Sequence, residues 1–428
     1  MEISYVIRDI TPPVGIRLGG YGHRFNKRST HIVSPLYLRL LELIDPYGES
    51  FVLLQMDLLG IYLEDSQKIK KILSSKLSVK EDNIMITTTH THSSPETIIP
   101  MWRKTFPYTD EEKDFFNRWW RRVYIEIENA AEKINIYRER IRRTFVARGS
   151  LDQLCYNRAF IDGKIDPDLT ILGVENEKDK ILIVNYTCHP VTNTGLGISS
   201  DYPGELYYYM RRYGYETIFL TGATGDIDPL SKGLRYMRYM GEMLGQKTLS
   251  ISSAHAKDIK IDEIKIRTYS MELSIRKPEK DVKELLKYYY TMLSNYDTKT
   301  LTEDLYYDPT WIDLLYIDEE IDIAERFGDK IKTIIQVASL GDMIILAVPG
   351  EMLVETGLVL KRYSENNNYV TTMISAYTND YVGYIPIERS FRENKYEARL
   401  AKWSILGPDA EKIFLEKYMN IIKELRHE

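Results

Sequence analysis

The chain has 428 residues, of which 43% are hydrophobic and 28% charged, with a formal net charge of −6. This composition can form a large buried core, and the small net charge gives no reason to expect nucleic acid or an anionic membrane as the main partner. No apolar run approaches the roughly 18 residues of a membrane-spanning helix, and the N-terminus shows no signal peptide. The two cysteines, Cys155 and Cys188, suggest a reducing compartment, so we expect a cytoplasmic protein.

Hydrophobic periodicity predicts strands and helices that alternate along the chain. In chain order they are strand Phe51–Asp57, helix Leu63–Leu77, strand Asn83–Thr89, helix Asp110–Tyr137, strand Ile181–Cys188, helix Gly204–Tyr213, strand Glu216–Leu220, helices Arg235–Ser250, Glu279–Tyr296 and Ile312–Phe327, strand Met343–Val348, helix Glu351–Tyr363, strand Tyr369–Tyr377 and helix Ala410–Arg426. This alternation favours an α/β fold in which a layered, mixed β-sheet core is covered by helices. Because no break in composition divides the chain, we expect one domain over residues 1–428 that ends in a helix at about 410–426.

A pair of histidines, His90 and His92, follows the predicted strand Asn83–Thr89. If the chain stays extended there, both imidazoles point to the same side, because side chains alternate along a strand. Two imidazoles on one face form half of a site for a metal such as zinc. The alternative is a pair of loop histidines that bind nearby carbonyl groups.

Two further strand ends carry candidate ligands, His189 and Glu351. Functional sites in α/β sheets form beyond the carboxyl ends of strands, and two histidines with one glutamate are a common zinc set. Each residue also has a purely structural interpretation, since His189 could be a core residue and Glu351 could complement the dipole at a helix start. We expect Cys188, next to His189, to be a buried and inert thiol.

The ordered series of motifs resembles the catalytic domain of the neutral, non-lysosomal ceramidase family. The resemblance extends from Arg8 to about Tyr396. The matching stretches are Arg8-Asp9-Ile10-Thr11-Pro12, Gly20-Tyr21-Gly22, His90-Thr91-His92-Ser93-Ser94-Pro95, His189 with Asn193 and Ser200-Asp201, Gly225-Asp226-Ile227-Asp228-Pro229, Pro349-Gly350-Glu351, and Gly383-Tyr384 through Lys395-Tyr396-Glu397. The resemblance implies a ceramidase-like α/β fold without that family's C-terminal β-domain.

The resemblance also implies the chemistry and its residues. The zinc ligands, for one Zn²⁺ per chain, would be His90, His189, Glu351 and Tyr384, and the catalytic residues would be His92, Arg158 and Tyr396. His92 would be the acid–base residue, whereas Arg158 and Tyr396 would bind the carbonyl side of the scissile bond. The implied reaction is hydrolysis of a linear N-acyl amide, small or lipid-like, by a metal-activated water.

Asp228 stands where the family has a serine, which excludes a serine acyl-enzyme at this position. Its carboxylate could bind an amine of the substrate or a further cation, or it could belong to a structural turn. Because site chemistry transfers between relatives better than substrate, other functions remain open. They are a metal-dependent esterase, a hydrolase of another small amide, and a non-catalytic metal-containing binding protein.

Overall fold

The computed structural model describes residues 1–296 and 308–427. In these residues the α-helices are α1 (Leu63–Leu77), α2 (Asp110–Ile134), α3 (Asp201–Arg211), α4 (Leu234–Ala254), α5 (Val282–Leu293), α6 (Pro309–Arg326), α7 (Val354–Asn366), α8 (Glu388–Arg392) and α9 (Ala410–His427). The strands are β1 (Glu2–Asp9), β2 (His31–Ile32), β3 (Tyr37–Ile44), β4 (Ser50–Met56), β5 (Ile84–Thr88), β6 (Glu139–Arg140), β7 (Arg143–Ser150), β8 (Cys155–Asn157), β9 (Asp168–Glu175), β10 (Lys180–Tyr186), β11 (Gly197–Ile198), β12 (Glu216–Thr221), β13 (Ile227–Pro229), β14 (Lys257–Asp258), β15 (Ile264–Ser274), β16 (Lys330–Leu340), β17 (Met343–Ala347), β18 (Glu351–Met352), β19 (Thr371–Ser375) and β20 (Tyr384–Ile385).

Mixed sheets form the centre of the fold. The larger sheets have the strand orders β5-β4-β3-β1-β6, β12-β10-β9-β7-β14 and β15-β16-β17-β19. Each of them contains one parallel pair, namely β4 with β5, β10 with β12, and β17 with β19, and is otherwise antiparallel. All three contribute side chains to one shared apolar cluster. The sheets therefore pack on one another through their inner faces.

Helices cover the outer faces of these sheets. Helices α1 and α2 pack on the first sheet, α3 and α4 on the second, and α7 and α9 on the third. Strand β4 illustrates the arrangement, because Val52 and Leu54 face the helices while Phe51 and Leu53 face the other sheets. Burial on both faces explains the unbroken apolar runs in the sequence. The predicted α/β fold with a mixed, layered sheet core is confirmed.

The predicted elements all occur in the structure, although most of their ends differ by a few residues. Helix α1 begins and ends where the periodicity predicts. The predicted helix start at Glu351 is wrong, because Glu351 lies in β18, where it pairs with Tyr384 of β20, and α7 begins only at Val354. The interpretation of Glu351 as a carboxylate in the first turn of a helix is therefore wrong as well. The expectation of one domain over residues 1–428 remains a prediction.

The two cysteines are bonded to each other. A disulfide joins Cys155 in β8 to Cys188 after β10, with the two Cα atoms 6.3 Å apart. This finding corrects the expectation of an inert thiol at Cys188. The bond also removes the cysteine-based argument for a reducing compartment, and the expected cytoplasmic location stays untested. None of the helices in the described residues combines the length and the apolarity needed to cross a bilayer.

We expect a thiol titration of the denatured, unreduced protein to find close to no free thiol, and to find both cysteines after reduction. Because the bond links residues 33 positions apart, its loss in Cys155→Ser should destabilise the fold by roughly 4 kcal/mol. Denaturant unfolding of both proteins measures this difference. Two reactive thiols in the unreduced protein would contradict the disulfide.

Candidate metal centre and its cavity

Three histidines and a glutamate meet at one point, although they come from distant parts of the sequence. Nε2 of His189 lies 3.0 Å from Oε2 of Glu351, and Nε2 of His90 lies 3.7 Å from the same oxygen. Nε2 of His92 lies 3.1 Å from Nε2 of His90. The ligand atoms of the three histidines are all within 4.8 Å of one another. The structure thus brings together the predicted residues His90, His189 and Glu351, and it places His92 within the same range.

His90 and His92 meet for a reason other than the predicted one. Strand β5 ends at Thr88, and His90 has a φ of 64°, which is the left-handed region that non-glycine residues rarely adopt. The extended chain on which the prediction depended is therefore absent. The ring of His90 instead stacks on Tyr377, with 3.7 Å between the ring centroids and 7° between the planes. A tight turn, held by this packing, directs both imidazoles inward.

Backbone carbonyls fix the orientation of two of the imidazoles. Nδ1 of His90 donates to the carbonyl of Leu59 at 2.5 Å, and Nδ1 of His189 donates to the carbonyl of Thr224 at 2.6 Å. A carbonyl oxygen only accepts, so each Nδ1 carries a proton and each Nε2 is directed at the centre. Metal-binding histidines are commonly oriented in this way. The alternative that the sequence left open was that loop histidines bind nearby carbonyl groups. His90 does so through Nδ1, and its Nε2 still faces the centre.

The donor set fits a cation. The side chain of Glu351 is stabilised as an anion by the hydroxyls of Tyr381 and Tyr377, which donate to it at 2.5 and 3.3 Å. Burial lowers the pKa of His90 to about 3, so this imidazole is neutral at physiological pH. Nε2 of His189 faces a carboxylate oxygen at 3.0 Å, a contact that a metal ion between the two atoms or a proton on Nε2 would stabilise. Two imidazole nitrogens and one carboxylate are ligands that zinc accepts.

Arg158 links the candidate centre to the remaining predicted residues. Its guanidinium donates to the hydroxyl of Tyr384 at 2.7 Å and to the carboxylates of Asp228 and Glu397 at 3.0 and 3.1 Å. It also lies 5.8 Å from the ring centroid of Tyr384 and 5.6 Å from that of Tyr396. Tyr384 itself pairs with Glu351 through β20 and β18. Arg158, Tyr384 and Tyr396 therefore share one wall beside the histidines.

The sequence did not single out Tyr377, Tyr381 or Glu397. With 33 tyrosines in the chain, a tyrosine that binds the glutamate cannot be recognised from its residue type. One usable signal was position, because Tyr377 and Tyr381 follow the carboxyl end of β19, just as His90 follows β5 and His189 follows β10. Sites in such sheets form at these ends.

A cavity of about 790 Å³ opens beside the centre. Apolar and charged side chains both line this cavity. The apolar and aromatic residues include Met101, Trp102, Ile312, Leu315, Tyr316 and Trp403. The charged residues are Arg158, Asp228, Lys232, Glu393, Lys395, Glu397 and Arg399. A ligand with both an apolar and a polar part matches such a lining.

Two solved structures resemble this one over its whole length. Neutral ceramidase from Pseudomonas aeruginosa has a TM-score of 0.76 and 18% sequence identity, and the match covers 100% of this chain and 74% of that one. A ceramidase complexed with C2 has a TM-score of 0.77 and 16% identity, with coverage of 100% and 75%. Neither a family model nor a curated protein sequence matches the chain. The chain therefore has a neutral ceramidase-like fold, as the motifs implied, and at these identities the likeness shows the fold alone.

Metal-free protein, prepared with a chelator, is expected to unfold at a lower temperature than zinc-loaded protein, because an ion that binds only the folded state stabilises it. Zinc at a hundred times its Kd should add about 2.7 kcal/mol to the free energy of unfolding. His189→Ala should abolish the zinc-dependent rise, whereas His255→Ala, at an exposed residue after α4, should retain it. Calorimetry with and without zinc makes the comparison, and an unsubstituted protein that does not respond to zinc would contradict the site.

Proposed function

We propose that this chain is a zinc-dependent hydrolase that cleaves linear N-acyl amide bonds, as the name ceramidase indicates for its structural neighbours. The observation that carries the proposal is the convergence of the side chains of His90, His189 and Glu351. They meet next to His92, which lines the cavity. One Zn²⁺ per chain would be held by these residues, with the hydroxyl of Tyr384 as the fourth ligand. When bound, zinc would polarise the amide carbonyl and acidify water.

We assign proton transfer to His92. Its Nε2 faces the centre, 3.1 Å from Nε2 of His90, and burial lowers its pKa well below the usual range, so the ring begins the reaction neutral. Its Nδ1 is buried and has no hydrogen-bond partner among the described residues. The imidazole of His92 would take a proton from the attacking water and then deliver it to the nitrogen of the leaving amine. The same side chain would therefore act first as a base and then as an acid.

Arg158 and Tyr396 would stabilise the negative charge that grows on the carbonyl oxygen. Although burial alone would lower the pKa of Arg158, the neighbouring Tyr384, Asp228 and Glu397 hold it well above its usual value, so the guanidinium stays charged. Its hydrogen bonds to these groups also fix its position in advance of the reaction. Preorganised donors of this kind lower the barrier because they need no rearrangement when the charge appears.

The test is a hydrolysis assay with N-acyl amides of short, medium and long acyl chains, beside the matching esters. We expect turnover of at least one amide, loss of that activity with a chelator, and its return with zinc. His92→Ala should retain zinc but lower kcat by ~10²- to 10⁴-fold, since a proton-transfer group is removed. His255→Ala is the matched control and should keep full activity.

The other outcomes of this assay are equally informative. Turnover of esters alone would assign an esterase. Zinc bound at one ion per chain without any turnover would assign a binding protein. Full activity after complete removal of metal would contradict the proposed chemistry.

A further inference from the structure

Four charged residues of alternating sign form a row along the lining of the cavity. Nζ of Lys232 donates to Oδ2 of Asp228 at 3.0 Å, and Nη1 of Arg158 donates to the other oxygen, Oδ1, also at 3.0 Å. Nε of Arg158 donates to Oε1 of Glu397 at 3.1 Å. The row therefore begins with a cation, Lys232, and ends with an anion, Glu397.

Asp228 is the shared link of this row, and both of its oxygens are occupied by cations of the protein itself. Although burial alone would raise the pKa of Asp228, the charges of Arg158, His189 and Lys232 lower it to about 2. The carboxylate is thus ionised, and two cations of the protein already lie against its single negative charge. This charge balance argues against the amine-binding role that the sequence left open for Asp228.

Lys232 is the end of the row that opens to the cavity. Its side chain is 36% exposed, and Asp228 is its one ion-pair partner among the described residues. That partner is shared with Arg158, and an ammonium group has three donors, so Lys232 retains the capacity to bind another anion. Outside the row, the cationic side chains of the lining are Lys395, which shares Glu393 with Arg389, and Arg399, which pairs with Asp313.

The other end of the row would repel an anion. Glu397 is buried, and its Oε2 has no hydrogen-bond partner among the described residues. The negative charge of Glu397 opposes the approach of a carboxylate to this end of the row. A ligand with one negative group is therefore directed to Lys232.

Lys232 also lies on the side of the cavity where the leaving amine would be. The residue after it, Gly233, donates its backbone N–H to the carbonyl of Thr192, which follows Val191. The carbonyl of Val191 accepts from the hydroxyl of Tyr21, whose ring lies 5.1 Å from that of His92. Because His92 is the group assigned to protonate the leaving amine, this connection would place Lys232 near the amine half of the substrate.

We infer that Lys232 binds a carboxylate on the amine half of the substrate, and that the substrates are N-acyl amino acids rather than N-acyl derivatives of an uncharged amine. The inference rests on the proposed function and narrows it. The four charges of the row cancel, whereas Zn²⁺ together with Glu351 would leave a positive charge that also favours an anion. A carboxylate on an ammonium forms a charge-assisted hydrogen bond. The apolar lining would receive the acyl chain.

The test compares two probes that differ in one charge, N-octanoylglycine and N-octanoylglycinamide. Calorimetric titration of the zinc-loaded protein gives Kd for each probe, and the hydrolysis assay gives kcat/KM. We expect a preference of at least tenfold for the carboxylate in Kd. Lys232→Met keeps most of the aliphatic stem and should reduce this preference to less than threefold. Lys395→Met, which removes a paired lysine from the same cavity, should leave it unchanged.

Equal affinity of the unsubstituted protein for both probes would overturn the inference. So would a preference that survives in Lys232→Met, because a carboxylate that binds only the zinc does not need the lysine. Hydrolysis without discrimination between the probes would reject the inference and leave the amidase proposal intact. Tight, Lys232-dependent binding of octanoylglycine without any hydrolysis would support the inference and reject the proposed reaction.

Discussion

The candidate centre depends on one electrostatic constraint. The imidazole nitrogens of His90 and His189 and the carboxylate of Glu351 are buried face to face. Nε2 of His189 and an oxygen of Glu351 are 3.0 Å apart, and the carbonyls behind His90 and His189 keep the imidazole protons on the far side of the rings. A buried carboxylate in such contact needs a positive partner, which is either a metal ion or a proton on Nε2. The same geometry therefore suits a metal centre when the imidazoles are neutral. This geometry supports a metal centre more strongly than the mere presence of two histidines and a glutamate.

The sheets place these atoms by a simple rule. Histidines follow the carboxyl ends of β5 and β10, and the tyrosines that bind Glu351 follow β19, so side chains from different sheets arrive beside one cavity. The shared apolar cluster between the sheets holds these strand ends in register. Around the cavity, apolar residues and a row of charges divide the lining into two kinds of surface. That division connects the proposed chemistry with the proposed substrate class, because an acyl chain and a carboxylate require different surroundings.

Much of this organisation could be predicted from local patterns. The bounds of α1 and the approximate positions of six buried strands followed from periodicity, because burial on one or two faces leaves a direct mark on the sequence. Strands such as β1, β3, β15 and β16 were missed, since charged and polar residues interrupt their apolar pattern. The ligand candidates His90, His189 and Glu351 followed from their position after strands. The roles given to them, and to Tyr384, Arg158 and Tyr396, came from the resemblance of ordered motifs.

The sequence by itself thus determined the α/β class and the short set of residues from which a metal site could be built, because these features are written in patterns a few residues long. Only the tertiary structure decided the turn at His90, the strand that holds Glu351, the bond between Cys155 and Cys188, and the row of charges from Lys232 to Glu397. Each of these joins or orients groups through contacts with distant segments. Such contacts arise from packing the whole chain, and no local pattern records them.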